Sequence, residues 1–133
     1  MAGRKKSSHS LTPLELQIMQ VLWREGPGNV LQVQTCLSPN TDLAYNTVQT
    51  MLNVLHRKGR VQRSLEGRAY VYSPVASRET VTGQAVRDFV ERMFGGSSEE
   101  LVMSLIKSRQ VDPKRIADLS RQVEALEEGE PDA

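Results

Sequence analysis

Residues 43–59 read LAYNTVQTMLNVLHRKG, and the fold turns on how this stretch is read. At about 100° per residue it resolves into two faces. Val48, Met51, Leu52 and Leu55 fall at i, i+3, i+4 and i+7 and make one apolar stripe. Asn46, Gln49, Thr50, Asn53 and Arg57 fall on the opposite side. That side has no Asp, Glu or Lys, whereas a solvated helix face is usually rich in Glu and Lys pairs. Amides, a hydroxyl and a guanidinium at helical spacing are the groups that read base edges in a major groove. A plain amphipathic helix with a polar exterior fits the stretch equally well when it is taken alone, so the neighbouring segments decide.

Upstream, Thr12-Pro13-Leu14-Glu15 is a helix start: Thr12 suits the N-cap, Pro13 the first turn, and Glu15 can close a capping box. Leu14, Ile18, Val21 and Leu22 make the apolar face of this helix, with Trp23 at its edge as a packing residue. Gly26-Pro27 ends it. Asn29 caps a second helix with Gln32 three residues on, and Val30, Val33 and Leu37 form its short apolar face. Cys36 sits beside that face as a small hydrophobe. Ser38-Pro39-Asn40-Thr41-Asp42 is turn chemistry. The start of the next helix stays open between Asp42 and the backbone near Ala44. Its end is clear, with Lys58 in the last turn and Gly59 behind it.

Downstream of Gly59 the apolar period changes from 3.6 to 2. Val61 to Leu65 and Ala69 to Tyr72 read as two short strands joined by a tight turn at Glu66-Gly67, with Arg63 and Arg68 near the tip. Helix, helix, polar-faced helix and basic hairpin is the element order of a winged helix. That order raises the opening stretch from an ordinary amphipathic helix to a DNA-reading one.

Pro74 closes this domain. Ser77 starts a long helix with Val86, Phe89, Val90 and Met93 on one face, stopped by Gly95-Gly96. Ser97 and Glu100 suggest another capping box, ahead of Leu101, Val102, Leu105 and Ile106. Asp112-Pro113 opens a last helix in which Ile116, Leu119, Val123 and Leu126 are spaced 3, 4, 3, an a/d seam. Three short helices in fewer than sixty residues bury such stripes poorly by themselves. A two-fold homodimer would cover them, through Phe89, Val90, Leu101, Leu105, Ile116, Leu119, Val123 and Leu126, and would present two recognition helices at once. The competing arrangement folds the three helices back onto the winged helix as one monomeric core.

The expected fold is therefore mainly α with a small β-hairpin wing. A disordered basic arm covers 1–10, a winged helix-turn-helix 11–75, a three-helix dimerisation region 76–126, and an acidic frayed tail 127–133. Charge follows the same division. Residues 1–74 hold nine Lys and Arg against four Asp and Glu, while residues 75–133 hold eight against twelve. The first half can approach phosphates and the second is repelled by them. Arg57, Lys58, Arg60, Arg63 and Arg68 are the cations expected to meet the DNA backbone.

A single cysteine in 133 residues excludes an internal disulfide and a multi-thiolate zinc site. No apolar run approaches the length of a membrane span and none reads as a signal peptide, so a cytoplasmic location without membrane insertion is expected. His9 stands in the arm and His56 on a flank of the helix, and no nucleophile, metal-ligand or phosphate-loop spacing accompanies them. The sequence reads as neither an enzyme nor a cofactor or metal protein. A second class remains, a winged helix that binds another protein, because fold alone does not fix function. Residues 46–57 lack the aromatic and aliphatic anchors such a helix exposes on its outer face.

The runs LTPLELQIMQVLW, YNTVQTMLNVLHRKG, GRAYVYSPVASRE and FGGSSEELVMSLI, in this order, resemble the penicillinase-repressor (BlaI/MecI) family of bacterial transcriptional repressors. The likeness covers roughly residues 11–126. It implies a homodimer that binds double-stranded, pseudo-palindromic operator DNA and represses nearby genes. By position it implies recognition through Asn46, Thr47, Gln49 and Thr50, and a wing contact near Gly67 and Arg68. It also implies a regulatory protease. Members that respond to β-lactams are cleaved at an Asn-Phe bond after the double glycine, and the aligned pair here is Ser104-Leu105. The paired C-terminal cysteines of copper-responsive relatives are absent.

Overall fold

The first helix, α1 (Pro13–Glu25), starts at its capping signal. The Thr12 hydroxyl accepts from the Glu15 backbone N–H at 3.1 Å, and the Glu15 carboxylate accepts from the Thr12 N–H at 3.0 Å. Gly26 ends the helix at φ 93. Helix α2 (Val30–Leu37) begins with the same device built from amides: Asn29 and Gln32 each accept the other's backbone N–H at 2.8 Å. Helix α3 (Tyr45–Arg57) has Ala44 as its N-cap and no side-chain cap, so Asp42 is not the cap. The structure, a computed structural model, describes residues 10–37 and 41–129. The arm expected over 1–10 (apart from Ser10), the turn residues 38–40 and the last four residues of the tail lie outside that range.

Ile18, Met19, Val21, Leu22, Val30, Val33, Leu37, Val48, Leu52, Leu55, Val61 and Tyr72 form one core. Met51, expected within the stripe, packs against its edge and is half-buried. Val48, Leu52 and Leu55 are fully buried, at about 1.5–3 kcal/mol per side chain. Their burial fixes the rotation of α3 about its axis and turns the opposite face outward.

Strands β1 (Val61–Glu66) and β2 (Ala69–Pro74) pair antiparallel, with Arg63 opposite Tyr72, Leu65 opposite Tyr70 and Glu66 opposite Ala69. The turn is therefore Gly67-Arg68, one residue later than Glu66-Gly67. Gly67 has φ 66 and Arg68 keeps an ordinary negative φ, the pattern of a type II′ hairpin. A third short piece of sheet was not legible in the sequence. Gly28 donates to the Tyr72 carbonyl at 3.0 Å and accepts from the Tyr72 N–H at 2.9 Å. A bridge one residue long leaves no period-2 pattern to read. The Trp23 indole N–H donates to the Ala76 carbonyl at 3.0 Å and fastens the exit of the hairpin to α1.

Three helices follow, α4 (Arg78–Phe94), α5 (Ser98–Lys107) and α6 (Pro113–Gly129). The chain divides into two compact units between Thr82 and Gly83, inside α4. Within the second unit Val90 is buried and Leu101, Leu105 and Ile116 are half-buried, while Phe89, Leu119, Val123 and Leu126 are exposed. Ser97 accepts from the Glu100 N–H at 3.2 Å, but its own N–H goes to the Phe94 carbonyl at 3.0 Å, so the capping box is only half made. Helix α6 continues through Glu127, Glu128 and Gly129, so these residues are helical rather than frayed. Ser104 and Leu105 lie inside α5. Among the described residues, no helix is long and apolar enough to cross a membrane.

Candidate nucleic-acid interface

Asn46, Thr47, Gln49 and Thr50 are all exposed on one side of α3, with Val48 between them fully buried. Two hydrogen bonds hold the residues just before this helix. Gln34 Nε2 donates to the Leu43 carbonyl at 3.0 Å, and the Thr41 hydroxyl bonds Gln17 Oε1 at 2.6 Å. Thr41 and Leu43 are thus tied to both preceding helices. Because α3 lacks a side-chain cap, its first-turn N–H groups and the positive end of its dipole lie next to the exposed row.

The five expected cations fall in different settings. Arg57 is exposed in the last turn of α3, and Arg68 is exposed in the hairpin turn. Arg60 is half-buried, and its carbonyl accepts from the Val75 N–H at 3.0 Å. Lys58 is committed elsewhere. Its ammonium donates to Glu15 Oε1 at 2.8 Å and to the Ser10 carbonyl at 3.2 Å, with side-chain exposures of 21% for Lys58 and 7% for Glu15. It fastens the end of α3 to the start of α1, and its charge is already neutralised. Burial pushes the Glu15 carboxyl up, but the Lys58 ammonium and the Thr12 donors outweigh it and hold the group below the usual glutamate range.

Arg63 is half-buried. Its Nη1 donates to Asn53 Oδ1 at 3.0 Å, and its guanidinium carbon lies 4.2 Å from the centre of the Tyr70 ring. Asn53 therefore belongs to the junction between helix and hairpin, where it is half-buried, and not to the exposed row. Tyr45 was not singled out from sequence. It is exposed at the first position of α3, next to Asn46, and an aromatic residue at a helix start was its only signal.

Residues 11–125 match the model of the penicillinase repressor family. The chain belongs to the penicillinase repressor family. The match spans both units, from the start of α1 into α6. The chain is 27% identical over 114 residues to the penicillinase repressor of Bacillus licheniformis, covering 86% of this chain and 89% of the relative. It is 36% identical over 99 residues to the transcriptional regulator BlaI of Mycobacterium tuberculosis, covering 73% and 72%. A complex structure of RosR-S4 aligns over 79% of this chain and 94% of that one at 16% identity, with a TM-score of 0.52, which bears on the fold alone. In this penicillinase repressor family member the fold is a winged helix: three helices, with a hairpin bridged back to Gly28.

Proposed function

We propose that this protein is a homodimeric transcriptional repressor that reads pseudo-palindromic operator DNA, one α3 helix in each major-groove half-site. Family membership supports the repressor class. The observation that carries the reading is the exposed row of Asn46, Thr47, Gln49 and Thr50 on a helix whose other face is locked in the core. Asn and Gln amides match the N6/N7 edge of adenine, and a Thr methyl can pack on the methyl of thymine. Arg57, Arg63 and Arg68 supply sequence-independent attraction to phosphates. Lys58 is left out of that set because Glu15 already holds it. Two copies double the contact, with half-sites about 34–36 Å apart or a multiple of that.

Selection from a random duplex library is the test. Two-fold symmetric sites should be enriched. On the enriched site, Gln49→Ala should lower discrimination at one base pair per half-site by about 1–3 kcal/mol and leave the salt dependence unchanged. An equal loss on all sequences would remove Gln49 from base reading, and no enrichment at all would refute the repressor reading.

A further inference from the structure

Asn53, Arg63, Tyr70 and Tyr72 meet where α3 joins the hairpin, and neither base reading nor core packing accounts for the arrangement. The Asn53 amide oxygen accepts from Arg63 Nη1 and from the Tyr72 hydroxyl, each at 3.0 Å. An amide oxygen has two lone pairs, so both are used. Tyr72 is 2% exposed and set in the core, which makes its hydroxyl a fixed point. Arg63 lies opposite Tyr72 in the hairpin, and Tyr70 stands on the same face two residues away. The Tyr70 ring lies under the guanidinium from that side.

We propose that Asn53 and Tyr70 are positioning residues that hold Arg63 as a preformed phosphate clamp between the recognition helix and the wing. This rests on the DNA-binding reading above. The decisive feature is the chemistry of the partners. Lys58 faces a carboxylate, which cancels its charge. Arg63 faces an amide oxygen and a ring face, both neutral, which fix the guanidinium and leave its full positive charge for an incoming anion. A guanidinium has five N–H donors and Asn53 takes one, which leaves enough for a bidentate match with phosphate oxygens. An arginine free in solvent would lose its rotamer freedom on binding, whereas this one has lost it already on folding.

The test uses the full chain and a fluorescein-labelled mixed-sequence duplex of about 20 base pairs, roughly two helical turns. Binding is followed by anisotropy across a salt series. Arg63→Ala should flatten the salt slope by about one unit per copy bound. Asn53→Ala should weaken binding about five- to tenfold with the slope unchanged, because the charge is still present but no longer aimed. In the Arg63→Ala background, Asn53→Ala should do nothing further. Tyr70→Phe should bind like the unaltered protein, and Tyr70→Leu should behave like Asn53→Ala. Tyr70 is 41% exposed, so the Leu variant tests the clamp even where loss of Asn53 harms the fold. Equal weakening by Asn53→Ala with and without Arg63 would overturn the clamp, as would unchanged binding by Tyr70→Leu. Failure of the unaltered protein to bind the duplex at low salt would instead overturn the DNA-binding reading itself.

Discussion

Lys58 and Arg63 carry the same charge, sit five positions apart and have opposite kinds of partner, a carboxylate for one and an amide oxygen with a ring face for the other. Sequence assigns both to the DNA backbone because it shows charge and not partners. Lys58 points back to Glu15, which already accepts the Thr12 N–H at the start of α1. The Glu15 carboxyl is held below its ordinary value of 4.5, so the pair adds stability above that value and loses it as the pH falls through the lowered pKa. Glu15→Gln keeps an acceptor for the Thr12 N–H and removes only the charge. At neutral pH it should cost about 1.5–3 kcal/mol. The gap between the two proteins should narrow on acidification below 4.5. Urea denaturation between neutral and acidic pH checks this, and a gap that does not change with pH would separate the stability of Glu15 from its charge.

Within single elements, backbone angles give the same residue type opposite meanings. Gly67 has φ 66, and no atom lies within 4 Å of the point where a Cβ would stand, so its value lies in its backbone freedom and not in space. Gly83 lies within α4, where an added Cβ would meet only the far end of the Arg87 side chain at 3.8 Å. Gly67→Ala should therefore destabilise by about 1–2 kcal/mol. Gly83→Ala should stabilise by about 0.5–1 kcal/mol. Melting temperatures of the two variants should move in opposite directions, and a rise for Gly67→Ala would reject the II′ turn. Arg109 also adopts a left-handed conformation, at φ 63, in the connection from α5 to α6. No glycine marks that turn in the sequence.

Across the molecule, the sequence divides into a basic first half and an acidic second half. The N-terminal unit encloses its own core, and the helices after Gly83 do not. Leu119, Val123 and Leu126 are 42%, 53% and 70% exposed in a single copy. A second copy supplies the missing cover if the seam is the dimer interface. Because these residues are exposed, Leu119→Asp with Val123→Asp removes apolar surface without breaking the core of one chain. Sedimentation should report monomers for the double variant and dimers for the unaltered protein. Dimers that survive both charges would move the interface off α6.

The order of the elements, the caps of α1 and α2, and the two faces of α3 were all legible in the sequence. These are local matters of propensity, hydrogen-bond chemistry and period, written within a few residues of each other. The exposure of Asn46, Thr47, Gln49 and Thr50 was legible for the same reason, since the buried stripe behind them sets which side of the helix faces out. Three-dimensional packing alone chose the one-residue shift of the hairpin turn, the bridge from Gly28 to Tyr72, and the partners of Lys58, Asn53 and Arg63. The bridge and those partnerships join residues seven to more than forty positions apart. A linear pattern carries no information about which side chain an oppositely charged or neutral partner will reach. That choice is made by packing, and here it decides which cation locks two helices together through a carboxylate and which is held by neutral partners.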